Sequence, residues 1–258
     1  SRSHAAINRP SSQRAVTAVI LSRREGEDAV SFIEDRAVSG IMTASFQTGS
    51  TETSIGVNQL PDTISPNSSA PKDAFSSYSR FVQRLRRRYA AELSFLPPGA
   101  PRRESMTVAY EALRQRGDGI GDALRIVRQL VMERLVTLDC DEQAPLAVVT
   151  TAVTELAELA LDIACQEACR ELDATHGAPL GPEGRRAQLW IVGMGKLGAR
   201  ELNVSSDIDL IYLYDVDGET QGDADGRGRL ANQEYFSRAV KRIYALVGDT
   251  TEHGFVFR

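Results

Sequence analysis

The chain has 258 residues, 42% of them hydrophobic, enough to bury a sizeable core as one large or two small domains. Its formal charge of −5 excludes little, while its 3 cysteines, Cys140, Cys165 and Cys169, include no Cys-x-x-Cys pair and argue against a disulfide framework or a zinc site. The apolar run at residues 15–21 is far shorter than the roughly 20 residues of a membrane span and lacks a secretory cleavage pattern, so no membrane partner and a cytoplasmic location are expected.

Residues 1–79 are expected to be poorly structured or flexible, because residues 43–79 are rich in Ser, Thr, Gly, Pro and Asn and bury too little apolar surface to offset their ordering entropy. From Phe75 the pattern turns helical, with Phe81, Val82, Leu85 and Tyr89 on one face and Pro97-Pro98-Gly99 as the stop. Arg84, Arg86, Arg87 and Arg88, with Arg102 and Arg103 beyond, form a basic cluster. No aromatic stacking platform or docking motif accompanies it, so a solvated helix face is expected and a nucleic-acid partner is not.

Further helices are predicted over residues 107–116, 120–137 and 145–175. In the last, Val149, Val153, Leu156, Leu159, Ile163 and Leu172 recur near helical spacing, and His176-Gly177 supplies a stop. Cys165 and Cys169, four apart on this helix, read as core packing. His4, His176 and His253 are scattered, without partners at metal-ligand or triad spacing. A helical region, residues 80–180, thus leads into a segment, residues 181–258, that carries the chemistry.

That segment opens with Leu189-Trp190-Ile191-Val192, a short apolar strand running into Gly193-Met194-Gly195-Lys196-Leu197-Gly198, whose backbone amides and ammonium suit a phosphate chain. Then comes Ser205-Ser206-Asp207-Ile208-Asp209, leading into Leu210-Ile211-Tyr212-Leu213-Tyr214. On a strand Asp207 and Asp209 share a face about 6.6 Å apart and can reach one divalent ion, with Mg²⁺ or Mn²⁺ preferred by hard oxygen donors. The remainder of this strand reads as buried on both sides. An isolated Asp-x-Asp is equally well a solvated strand end or a turn after two serines; the adjoining glycine turn favours the site.

Gly193-x-Gly195-x-x-Gly198 also fits the dinucleotide-binding fingerprint, with Asp215 placed to meet a ribose. Spacing argues against a Rossmann unit: only residues 199–206 separate the last glycine from the acids, whereas a crossover between parallel strands needs at least about 10–12 residues. Residues 218–228 read as an exposed loop whose Asp223 and Asp225 make a poor metal site. Residues 232–247 read as an amphipathic helix with Tyr235, Phe236, Val240, Ile243 and Leu246 inward, covering one sheet face.

The run from Gly193 through Gly198-Ala199-Arg200-Glu201-Leu202-Asn203-Val204-Ser205-Ser206-Asp207-Ile208-Asp209-Leu210-Ile211 resembles the signature of the glutamine synthetase adenylyltransferases, members of the polymerase-β-like nucleotidyltransferases. The likeness continues through Asn232-Gln233-Glu234-Tyr235-Phe236-Ser237-Arg238 and Gly254-Phe255-Val256-Phe257-Arg258, the latter expected to be a strand. It implies an α+β fold, a helical N-terminal region followed by a nucleotidyltransferase domain with a small mixed sheet. Family enzymes hold two catalytic halves. The wording here is more similar to the first, which implies removal of AMP from a tyrosine of glutamine synthetase by phosphate, the second half adding AMP from ATP.

The resemblance further implies two metal ions about 3.5–4 Å apart, Asp207 and Asp209 as ligands, and Gly193, Gly195, Lys196, Gly198, Ser205 and Ser206 as contacts to ATP or ADP. It implies glutamine synthetase and the PII signal protein as partners. Arg200 and Glu201 read as an exposed helical pair, and Asn203 as a turn cap or an orienting group. Ala199 stands where the family has a further glycine, acceptable if φ is negative there. Family members continue past Arg258 into a third metal-binding carboxylate and an arginine-rich stretch, so the chain is expected to be truncated at its C-terminal end and inactive alone. The other reading, from a different class, is a nucleotide-binding or regulatory piece without turnover.

Overall fold

A computed structural model describes residues 74–258 in full and the backbone of residues 17–24 and 27–33. The chain runs β1 (Thr17–Arg24), β2 (Glu27–Ile33), α1 (Arg80–Arg88), α2 (Arg103–Arg116), α3 (Ile120–Cys140), α4 (Leu146–His176), β3 (Pro179–Leu180), β4 (Leu189–Gly193), α5 (Gly195–Gly198), β5 (Leu210–Tyr214), β6 (Glu219–Thr220) and α6 (Asn232–Gly248). The fold class is α+β, with two strands before the helices and the remaining strands after them. His4 and residues 43–73 lie outside the described residues. Two strands nonetheless fall within the stretch expected to be unstructured.

Local chemistry sets the helix ends. The Ser79 side chain accepts from Val82 N–H at the start of α1. Gly117, at φ 105, closes α2, with its N–H donating to Arg114 and that of Asp118 to Leu113. Gly177 stops α4 as its position predicted. Val82, Leu85 and Tyr89 are buried on α1, but Phe81 is 39% exposed, because the inward stripe is narrower than the helical pattern suggested. The basic cluster is largely consumed by neighbours: Arg86 pairs with Glu133, Arg88 with Glu252, Arg102 with Glu155 and Arg103 with Asp162.

The main sheet has the order β2-β1-β5-β4 and its pairings are all antiparallel, where a mixed sheet was expected. The loop after α5 is too short for the crossover that parallel neighbours require, so β5 returns beside β4 in the opposite sense. The same pairing removes the Rossmann alternative. A second ladder pairs β3, just after α4, with β6, which falls in the supposed loop at residues 218–228; both were missed because they are only 2 residues each. Asp223 there makes a local turn, its Oδ1 accepting from the N–H groups of Asp225 and Arg227.

One hydrophobic cluster runs from Leu85 on α1 to Phe257, through α2, α3, α4, β5 and α6. Helix α6 covers the sheet face bearing Tyr212 and Tyr214, with ring centroids 5.1 Å apart for Tyr214–Phe236 and 6.3 Å for Tyr212–Tyr244. All five inward residues predicted for α6, Tyr235, Phe236, Val240, Ile243 and Leu246, are buried. On α4, Cys165 packs against this core, in keeping with its expected role.

The helical region also fixes the segment C-terminal to α6. Arg125 on α3 is buried and donates to the carbonyls of Asp249 and Ala245, answering acceptors at the α6 C-terminus. Gln129 donates to the His253 carbonyl at 2.8 Å, and Tyr89 shares a 3.0 Å hydrogen bond with the His253 ring. Arg125→Met leaves those helix-end carbonyls without their charged donor; we expect a loss of about 2–3 kcal/mol in unfolding free energy, measured by urea denaturation.

Candidate nucleotide and metal site

The site is assembled where β4 turns into β5. Gly193 ends β4 and α5 is a single turn of 4 residues. Gly195 has φ +53, a left-handed backbone that glycine adopts without penalty. A Cβ on Gly198 would stand 2.5 Å from the Gly193 carbonyl oxygen, so the turn closes on itself only with glycine there. Ala199 has φ −79, the condition under which alanine is tolerated in place of a further glycine. Arg200 and Glu201 do not form a helical pair. Arg200 takes φ 58 and its guanidinium reaches Glu158 on α4 at 2.6 Å.

The loop from Ala199 to the acids is pinned at Leu202, which is wholly buried and whose N–H donates to Thr154 Oγ1 at 3.1 Å. The Asn203 carbonyl accepts from Ser206 N–H, closing a turn; Ser205 is exposed and Ser206 half-buried. Asp207 and Asp209 then precede β5 rather than lie in it, since the strand begins at Leu210. Their alternation survives: both acids are exposed and Ile208 between them is half-buried. Met194 N–H donates to the Asp209 carbonyl and Ile208 N–H to the Arg258 carbonyl, so the backbone at the acids is held from both edges.

Pairing of β4 with β5 sets Val192 opposite Ile211 and Trp190 opposite Leu213. Those residues share the face of Asp209, and Trp190 remains 41% exposed and Val192 38%. Ile211 and Leu213 are half-buried. The strand is therefore covered on the α6 side and partly open on the side of the acids, not buried on both sides.

A cleft of about 640 Å³ opens beside the acids, lined by Asp207, Asp209, Leu210, Tyr212, Tyr244 and Arg258. At its floor the Tyr212 hydroxyl is buried without a hydrogen-bond partner among the described residues, and burial drives its phenol far above the ordinary range. Arg258 Nε stands 3.6 Å from Asp207 Oδ1. Lys196 is exposed beside Gly195; its carbonyl accepts from Glu201 N–H, while its ammonium makes no hydrogen bond or ion pair among the described residues. The donor set suits Mg²⁺, which takes one or two carboxylates and completes its shell with water and phosphate oxygens. Among the described residues no third histidine, cysteine or acid joins the pair.

The Met194–Asp209 backbone bond thus sets the turn that carries Gly193, Gly195, Lys196 and Gly198 beside Asp209, with Ser205 and Ser206 on the loop leading to the acids. The cleft at Asp207 and Asp209 is lined from β5, α6 and the segment beyond it rather than from the turn. Asp215 belongs elsewhere: it is buried, accepting from Gln188 N–H at 2.8 Å and from Arg185 at 2.6 Å. Arg258 beside Asp207 went unforeseen because its placement depends on α6 and the segment beyond it, not on local spacing. That segment was expected to be a strand at Gly254–Arg258. Val256 and Phe257 instead both donate to the Val247 carbonyl in irregular backbone.

Fold and site together make an α+β segment in which a glycine turn lies beside an exposed acid pair with helices behind it. Residues 66–258 match the glutamate-ammonia ligase adenylyltransferase family, and the chain belongs to that family. It is 40% identical to the bifunctional glutamine synthetase adenylyltransferase/adenylyl-removing enzyme of Ralstonia nicotianae over 70% of this chain and 20% of that one. To the enzymes of the same name from Burkholderia pseudomallei and Aromatoleum aromaticum it is 45% and 47% identical, over 55% and 53% of this chain and 15% and 14% of theirs. The chain spans about a fifth or less of the length of these relatives.

The turn geometry yields a paired prediction. Gly198→Ala forces a Cβ against the Gly193 carbonyl and lowers stability by about 1–3 kcal/mol. Ala199→Gly costs only about 0.4–1 kcal/mol, through the unfolded chain. Equal losses for the two variants in chemical denaturation would contradict this reading of the turn.

Proposed function

We propose that this chain carries a metal-dependent adenylyl-transfer site acting on glutamine synthetase, in the direction that removes AMP from its adenylylated tyrosine. The observation that supports this most is the exposed acid pair, backbone-held on both edges, directly beside a glycine turn in a chain of this family. In the reaction a phosphate oxygen attacks the α-phosphorus of the tyrosyl-AMP. The bond from that phosphorus to the tyrosine oxygen breaks, the oxygen takes a proton, and ADP leaves.

Asp207 and Asp209 would hold Mg²⁺, or Mn²⁺, which when bound neutralises charge on the transferring phosphate. The amides of the turn at Gly193 and Gly195, with the Lys196 ammonium, would bind the ADP phosphates, helped by the Ser205 and Ser206 hydroxyls. The Gly198 N–H is already given to the Met194 carbonyl, so Gly198 would serve by closing the turn. The Tyr212–Tyr244 floor would keep water from one side of the reacting atoms. In the division we favour, residues 80–180 serve as a helical platform and residues 181–258 as the catalytic segment. Among the described residues no helix is long and apolar enough to cross a membrane, and a cytoplasmic protein answering to PII fits the proposed role.

A second reading has one observation in its favour: no third acid joins the pair among the described residues. On that reading the chain binds nucleotide without turning it over. Isothermal titration of ADP with Mg²⁺, run beside an assay of ADP formation from adenylylated glutamine synthetase and phosphate, separates the two. We expect Asp207→Asn to weaken Mg²⁺-dependent ADP binding by more than the roughly 10–100-fold that the outer partners of a metal ligand cost. Unchanged binding in that variant would refute the assignment of the acid pair, and binding without ADP formation favours the second reading.

A further inference from the structure

The segment after α6 brings a second arginine toward the acids. Arg128 on α3 stacks on the ring of Phe255 with its guanidinium carbon 5.1 Å from the centroid, and Arg258 stacks on the same ring at 4.8 Å. The two cations are therefore no more than about 10 Å apart, the two distances laid end to end. Arg258 in turn stands 3.6 Å from Asp207. Unlike Arg86, Arg88, Arg102 and Arg103, Arg128 has no carboxylate partner among the described residues, and its Nε is buried without a hydrogen bond.

Burial of its guanidinium, reinforced by the charge of Arg258, holds Arg128 below the usual arginine range. Stacking on Phe255 offsets part of the cost of placing like charges together, but an aromatic face does not satisfy an N–H donor. A planar, always-charged fork with no carboxylate partner among the described residues, held on the same ring as a second one, suits an oxyanion. We infer that Arg128 and Arg258, gathered on Phe255, form an anion site that takes a phosphate group beside the Asp207–Asp209 pair. Arg128 is then a phosphate-binding residue contributed by the helical platform to the catalytic segment.

This inference rests on the proposed adenylyl-transfer reading, and its test keeps the two apart. Inorganic phosphate and ADP are titrated calorimetrically into the whole chain and into Arg128→Met and Arg128→Lys, while Mn²⁺ binding at the acids is followed by electron paramagnetic resonance. Methionine keeps an apolar, ring-contacting side chain over Phe255, and circular dichroism confirms that each variant is folded.

The expected result is a tenfold or greater loss of anion affinity in Arg128→Met, a smaller loss in Arg128→Lys and unchanged Mn²⁺ binding. A loss confined to inorganic phosphate identifies the site with the free ion, and one confined to ADP with the nucleotide phosphates. Equal affinities in wild type and a folded Arg128→Met overturn the inference. So does a wild-type chain that binds Mn²⁺ but neither anion, an outcome that leaves the metal assignment standing. Arg128-dependent phosphate binding in a chain that takes no Mn²⁺ supports the inference and refutes the metal assignment alone.

Discussion

Two backbone hydrogen bonds at consecutive residues govern the site. In an extended antiparallel chain, successive residues direct their backbone polar groups to opposite neighbours. Asp209 offers its carbonyl to Met194 at the mouth of the glycine turn, and Ile208 gives its N–H to Arg258 on the other edge. With both edges engaged, the backbone between Asp207 and Leu210 has little freedom to rotate. The two acid side chains stay exposed on one side, with Ile208 turned into the protein. The acids need no hydrogen bonds of their own to be positioned, and apart from the Arg258 guanidinium 3.6 Å from Asp207 their oxygens are left to a cation.

That clamp depends on elements far apart in the chain. Its first half requires β4 to end in a turn tight enough to bring Met194 opposite Asp209, which the left-handed Gly195 and the bare backbone contact between Gly193 and Gly198 make possible. Its second half requires the segment after α6 to return to β5. Arg125, Gln129 and Tyr89 hold that return through Asp249 and His253, and Val247 accepts both Val256 and Phe257. The helices thus contribute geometry to the sheet beyond shielding it, and the continuous core shared by helices and strands is the energetic counterpart of that dependence.

Periodic elements were legible in the sequence, and contacts across the chain were not. The stripes of α4 and α6 and the stop at His176-Gly177 could be read directly, because burial on one helix face imposes its own spacing. The tolerance of Ala199 also followed from backbone sterics. The acid pair and its glycine turn could be read from the residues, strand alternation and phosphate-binding amides, with the resemblance adding their roles, and the Met194–Asp209 bond joins the two. By contrast, Phe81 fits the inward pattern of α1 but remains exposed, since a pattern cannot state how much surface its neighbours cover.

The antiparallel sense of the sheet was implicit in the short loop after α5, yet the expectation of a mixed sheet prevailed over it. Arg128, Phe255 and Arg258 come from α3 and from beyond α6, and no local spacing connects them. Asp215 was a ribose ligand only on the rejected dinucleotide-binding reading, and its partners Arg185 and Gln188 make it a buried structural acid.

The most direct test of the central claim is a crystal structure of the chain grown with Mn²⁺ and ADP, with the metal located by anomalous scattering. The account predicts a peak within about 2.5 Å of carboxylate oxygens from both Asp207 and Asp209, at the range of hard-cation coordination, with the ADP phosphates directed toward the Gly195–Gly198 turn. A metal bound elsewhere, or a nucleotide seated away from that turn with the two acids unliganded, would contradict it.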